Sequence, residues 1–573
     1  MKKYISMLAL VWCLASCKKD FLDPRPTDRL NENIVWSSPS LIEAALNYNY
    51  NALSYGIYSR NGFGDFNLML ADMTDEAVTY YEGYEERSKF VNGGLNPDNV
   101  RGIGLTRLGW NETYDFITRA NEFIERIPTI TGISQEKIDS YEGEIKLLRA
   151  WRYFNLLKHF GGVPLITKTF KPTDDFSQIT RATIDETISF IVAELNQAIA
   201  KLPETASVKG RIDKNIAKAF KSRVLLTIAS PLYNPTNSAA KWQAAADAAI
   251  DLINNGTYSL ELNFEKYRQS FIRYDPANPE MIFVRESDVL TGNGTNEGIL
   301  PPVSHGPVGS GGFSYFTPLQ QLVDAFETAD GKAITDLTSG YNPQNPYVNR
   351  EPRFKAFIYH HGSVIKGRTL DYRVDDPGTA DNDGGVDRPA DGAFWGNPTG
   401  YNMKKFINED RFSSDGTAVI GFTNDPVPWI HIRYAEILLN YAEAINEAQP
   451  GALDAVNYIN KIRNRAGLPN LTGPLSQSTL RDKIRHERRI ELAFEEHRFW
   501  DVRRWKVLEN TQSIPVLGAI ITGPNAGSVT YRYDKPPYSG YEANRVFLPK
   551  NYFWPVTREE LRTLPGLTQT PGY

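Results

Sequence analysis

The stretch from Ile484 to Trp505, IRHERRIELAFEEHRFWDVRRW, constrains this chain more than any other. Read as a helix, it places Ile484, Leu492, Phe499 and Val502 on one apolar stripe. Ile490, Phe494, Trp500 and Trp505 make a second. A helix that is apolar on two sides is wrapped by neighbours. Its arginines and glutamates must then pair with one another or with other helices, because an unpaired buried charge is too costly. Arg488 and Glu491 stand three apart, a spacing that allows pairing. The reading is a structural ion-pair network rather than a catalytic centre. His486-Glu487 opens no zinc motif, because Ile490 stands where HExxH needs His.

The segment just upstream, Ile432 to Ala448, has the same character. Ala435, Leu438, Leu439, Ala442 and Ile445 form one core face, and Tyr434, Ile437 and Tyr441 add a second. Arg433, Glu436, Asn440 and Glu443 are left as the continuous polar stripe. Gly451 is the stop, and Leu453 to Ala466 is a further helix before Gly467 and Pro469.

Earlier in the chain, helices are expected over Ser40–Ser54, from Trp110 to Pro128, and over Lys137–Phe160, Thr183–Lys201, Asp213–Ser230 and Lys241–Asn254. Thr183 with Glu186 is a capping box, and Asp213 is a cap. Helices of these lengths joined by short turns resemble tetratricopeptide hairpins. Residues 291–316 and 371–402 are instead long, Gly-rich and irregular. Such stretches in a compact protein are usually functional or mobile. The expected fold is therefore mainly α. A tetratricopeptide-like helical hairpin scaffold (about 40–270 and 430–510) carries a large irregular loop-rich insertion (about 271–430). A C-terminal segment, 511–573, completes one domain spanning 17–573, since no linker divides it.

Lys and Arg total 63 against 68 Asp and Glu, a formal net charge of −5, which argues against nucleic acid as the main partner. The two cysteines are Cys13 and Cys17, so the body of the chain has no internal disulfide and no Cys-based metal site. Lys2 and Lys3 precede a short apolar run, Tyr4 to Leu14, and Leu14-Ala15-Ser16-Cys17 then looks like a bacterial lipobox. Residues 1–16 are read as a signal peptide and Cys17 as the acylated lipid anchor. Several acyl chains, at about 0.8 kcal/mol per buried CH₂, hold such a protein to a membrane durably.

Motifs for chemistry fail one after another. Gly292-Asn293-Gly294 is no dinucleotide fingerprint, since Glu297 stands where the third glycine belongs. Phosphate-loop and nucleophile-elbow patterns are missing. Asp381, Asp383 and Asp387 alternate as calcium ligands can, but Val386 stands where an EF-hand needs Gly, leaving only a looser structural calcium site.

What remains is binding, and a sugar is one ligand that ring-bearing loops can take. A flat ring covers the C–H face of a sugar, and Asp, Asn and Arg meet its hydroxyls. The candidate platforms are Tyr80, Tyr81 and Tyr84; Phe313, Tyr315 and Phe316; and Phe394, Trp395 and Tyr401. Asp72, Asp75 and Arg368 are the polar candidates. Trp110 and Trp505 lie within helical motifs and are assigned to the core.

Several segments in their order along the chain resemble one family. These are Lys18-Lys19-Asp20-Phe21-Leu22-Asp23 at the front, Arg149-Ala150-Trp151-Arg152-Tyr153-Phe154 with Gly161-Gly162-Val163-Pro164, and Phe326-Glu327-Thr328-Ala329-Asp330-Gly331-Lys332. Glu351-Pro352-Arg353-Phe354 and the ending Leu567-Thr568-Gln569-Thr570-Pro571-Gly572-Tyr573 complete the set. It resembles the SusD/RagB family of the Bacteroidetes outer membrane.

The resemblance implies a cell-surface, lipid-anchored outer-membrane protein of nutrient uptake. Such a protein captures an oligosaccharide or polysaccharide and delivers it, as a lid, to a SusC-like TonB-dependent transporter. It implies recognition and release, with no enzyme activity and no cofactor. Two other classes stay open at this point: a surface glycoside hydrolase with an acid–base pair, and a helical-repeat scaffold binding peptide or protein.

Overall fold

The computed structural model describes residues 32–53, 70–79, 90–100, 109–171, 173–286, 304–374, 384–388, 396–418, 427–535 and 545–573. The first half is a row of helices: α1 (Pro39–Asn49), α2 (Trp110–Arg126), α3 (Gln135–Phe160), α4 (Ile184–Lys201), α5 (Lys214–Ala229) and α6 (Ala239–Asn254). Local chemistry sets their starts. The Ser134 hydroxyl accepts from Lys137 N, Thr183 and Glu186 form the expected capping box, and Asp213 accepts from Ile216 N. Gly161, at φ 76°, ends α3 where a side chain would be strained.

From α2 onward each of these helices packs on the next. The row continues in α7 (Tyr434–Ala448), α8 (Leu453–Arg465), α9 (Gln477–Glu491) and α10 (His497–Arg504). α7 lies directly against α6, although residues 255–433 separate them in the chain. A single large core runs through the stack, with Trp151 of α3 stacked on Phe220 of α5 at 4.2 Å. Trp110 and Trp505 are buried, as expected. Among the described residues no helix is long and apolar enough to cross a membrane.

The excursion between α6 and α7 is less irregular than its sequence suggests. β2 (Met281–Arg285) pairs antiparallel with β6 (Trp429–Arg433), so its opening and its close are stitched together just before α7 begins. Within it, a second core gathers Tyr267, Phe271, Phe326, Phe354, Phe357, Tyr359, Tyr372 and Phe406. Two short strand pairs matter for the site. β1 (Ala77–Val78) pairs with β3 (Thr317–Pro318), and β4 (Ile358–Tyr359) pairs with β5 (Asn402–Met403).

The charge-dense stretch is not one helix. α9 stops at Glu491 and α10 starts at His497, with Phe494 and Glu496 at φ 64° and 68° between them. Left-handed backbone at two non-glycine residues costs roughly 1 kcal/mol or more each. The turn is held from outside: Phe494 is buried in the second core, and the Glu496 carboxylate accepts from Leu70 N at 2.8 and 3.0 Å.

The break also changes the pairing. Arg488 bonds Asp501 and Asn440, both at 2.8 Å, rather than Glu491. Glu491 instead receives Arg433 at 2.6 Å, Arg353 at 3.1 Å, and Arg465. Arg433 further bonds Glu280 and Glu495, both at 2.7 Å. The polar stripe of α7 is buried and committed in the same way. Glu436 takes Arg223, and Glu443 takes Arg504 and the Trp505 indole.

Candidate ligand-binding face

The residues flanking three candidate stretches are tied to one another on one wall of the second core. Val78 stands across from Thr317 in the β1–β3 pair, and Leu319 N donates to Glu76 O at 2.9 Å. Asn402, fully buried on β5, is the hub. Its Nδ2 donates to His305 O (2.8 Å) and Ser314 Oγ (3.0 Å). Its Oδ1 accepts from the Tyr372 hydroxyl (2.6 Å) and Asn397 Nδ2 (2.7 Å). Asn397 in turn accepts from Gly400 N at 2.8 Å. A buried amide with its bonds made on all sides fixes its neighbours firmly. The chain at 79, at 304–316 and at 396–402 therefore shares one rigid base.

The segment leading to position 80 is clamped a second time, by charge. Arg498 holds the Asp75 carboxylate with Nε and Nη2 at 2.8 and 2.7 Å, and Arg489 adds a bond at 3.0 Å. The Arg545 guanidinium donates to the carbonyls of Asp72, Thr74 and Ala77. Burial pushes the Asp75 carboxyl up, but Arg489 and Arg498 outweigh it and hold it far below the usual carboxylate range. Neighbouring Glu76 has no such bidentate partner, and burial raises it to about 7 against the pull of the same two arginines. Arg489 and Arg498 belong to the sequence's charge-dense stretch. Arg545 belongs to no motif, and nothing in the sequence pointed to it.

Several sequence candidates need correction. Tyr315, Phe316 and Tyr401 are buried in the second core and are packing residues here, not sugar platforms. The Tyr401 hydroxyl is spent on Gln320 Oε1 at 2.7 Å. Among the described candidate rings Phe313 keeps partial exposure, with its ring edge-on to Tyr315 at 5.5 Å. Asp72 and Asp75 are buried and serve the clamp rather than facing sugar hydroxyls.

Arg368 is half-buried and bonds both oxygens of Asp387. Asp387 also accepts from Asp371 N at 2.8 Å, and burial raises its carboxyl to about 6 despite Arg368. That carboxylate already serves arginine and backbone, which counts against its use as a calcium ligand. Tyr80, Tyr81, Tyr84, Phe394, Trp395, Asp381, Asp383 and Cys17 lie outside the described residues.

A helical-hairpin stack that carries a second core, with its irregular stretches rooted on one wall, defines a recognition scaffold built on loops. Comparison with known proteins gives it a family. Residues 279–573 match the profile described as the SusD family. Residues 20–226 match one described as "Starch-binding associating with outer membrane".

SusD-like protein P2 of Formosa agariphila is 26% identical, with 100% of each chain covered. A SusD-like protein of Bacteroides ovatus is 24% identical over 88% of this chain and 83% of its own. A crystal structure of a SusD-like protein from Bacteroides fragilis superposes with a TM-score of 0.76 at 29% identity, covering 96% of this chain and 100% of that one. The chain belongs to the SusD family.

Proposed function

We propose that this protein captures oligosaccharide at the outer surface of the cell and hands it to a TonB-dependent transporter of the outer membrane, without cutting it. Acylated Cys17 is its tether. One observation carries the reading: the flanks of the ring-bearing stretches at 80–84, 313–316 and 394–401 are bound together through Asn402 and the β1–β3 pair. Rings presented from one stiff base can meet one extended ligand without a large ordering cost.

The family descriptions agree in kind. One names starch binding and association with the outer membrane, and a solved neighbour with a TM-score of 0.64 at 24% identity is named a laminarin-binding SusD-like protein. Both point to glucans as the first ligands to try.

The experiment is a panel of polysaccharides, including starch and laminarin, cast in native gels. Retardation by at least one glycan, with no shortened products after long incubation, is the expected result. Product formation would instead mark a hydrolase. Retention by none, together with capture of peptides, would mark a protein-binding scaffold.

A further inference from the structure

A second polar site lies away from the loop wall, where α3, α5, β6 and the α9–α10 break meet. It is a cavity of about 120 Å³. That is room for several waters, and below the roughly 300–1,000 Å³ of pockets that enclose larger ligands.

Three of the side chains that line it, Lys158, Arg223 and His431, keep a nitrogen without a protein partner. Lys158 reaches in from α3, its ammonium 4.1 Å above the Trp500 ring and 4.8 Å from that of Phe154. It makes no ion pair or hydrogen bond among the described residues. A cation–π contact attracts the charge but gives its three N–H groups no acceptor. Arg223 spends Nε and Nη2 on Glu436 and on the carbonyl of His431, leaving Nη1 unused. His431 is 6% exposed, and its Nε2 has no partner. Of the three only the His431 nitrogen is buried and unsatisfied, which costs about 1–3 kcal/mol where it carries the N–H.

The carboxylates on the same walls are already engaged. Glu495 holds Arg433 and Lys405, and Asp501 holds Arg488 and Arg504. Glu496 turns both oxygens to Leu70 N. Lys158 is thus a surplus cation beside a second cation. Burial and the nearby Arg223 charge push its ammonium down to about 7, against the weaker pull of Glu496 and Glu436.

We propose that this cavity binds one small oxyanion, a sulfate, phosphate or carboxylate group, between Lys158 Nζ, Arg223 Nη1 and His431 Nε2. The anion completes donors that the chain leaves open at the junction of its two cores. The ligand is a free ion or an anionic substituent small enough to enter.

Thermal melting of the full chain in increasing sodium sulfate, against sodium chloride of equal ionic strength, tests it. A saturating rise of Tm on the order of 2 °C is expected in sulfate alone. The same melts with glucose 6-sulfate separate the two sources, a rise there pointing to a substituent and none to a free ion. Lys158→Met keeps the stem on Trp500 and removes the charge, so it should abolish the rise. Crystals of the unsubstituted protein soaked in selenate should show anomalous selenium scattering between Lys158 and His431, whatever the variant does. An unchanged rise in Lys158→Met overturns the proposal. So does a cavity without selenium, or a selenium peak with no saturable rise in solution.

Discussion

Asp75 separates two roles that a carboxylate near a ligand face can play. Its oxygens are filled by Arg489 and Arg498, so it works by holding the chain that leads to Tyr80. Asp75→Asn leaves two buried guanidinium groups uncompensated and should cost about 3 kcal/mol in urea unfolding, with glycan retention falling in step. Weakened retention at unchanged stability would instead make Asp75 a direct sugar contact.

Glu443 makes the acid side of stability readable. Burial raises its carboxyl, but Arg504 overrides this and holds it at about 2, against an ordinary 4.5. A depressed acid contributes stability that is complete above the unfolded value, near 4.5, and is lost as pH falls through the folded value, near 2. A shift of that size corresponds to about 3 kcal/mol. Urea melts from pH 6 to pH 2 should show this loss in the unsubstituted chain and a flatter profile, from a lower start, in Glu443→Gln. Parallel profiles would show that the Glu443–Arg504 pair does not carry it.

At the scale of elements, the local signals were legible and the distant ones were not. Thr183 and Glu186 announce a helix start because both cap bonds span three residues. The burial of Tyr401 is invisible by comparison. Its Gly- and Pro-rich surroundings look like a surface turn, yet partners at Gln320 and Tyr347 close over it. The α9–α10 break was hidden for a similar reason. Left-handed backbone at Phe494 and Glu496 is stabilised by Leu70 N and the second core, both remote in the chain.

The charged residues of that stretch were legible as a network, but their partners were not, since these lie on other elements. Asn402 is the element-scale control point for the candidate face. Asn402→Ala leaves the groups around it unsatisfied and should cost about 2–4 kcal/mol. It should also lower glycan retention, because the wall loses its common base. Native-gel retardation at a temperature where the variant is still folded checks this. Full retention there would show that the hub does not align the loops.

On the scale of the whole molecule, the two cores are joined by buried charge rather than by a linker. Arg433 and Arg465 both reach Glu280 at the root of the excursion and Glu491 at the end of α9. Arg353 of the second core reaches Glu487 and Glu491. Glu351-Pro352-Arg353-Phe354 supplies the network. The C-terminal segment is tied in through Arg181, which donates to the Thr568 carbonyl and the Thr570 hydroxyl.

Such a frame can present sugar-stacking rings without itself deforming, and that presentation is the central claim. It is tested most directly by affinity electrophoresis, in the retarding polysaccharide, of the unsubstituted chain beside a variant carrying Trp395→Ala, Tyr80→Ala and Tyr81→Ala. Retardation should be lost while the melting temperature stays within about 2 °C. Equal retardation of the two proteins would contradict it.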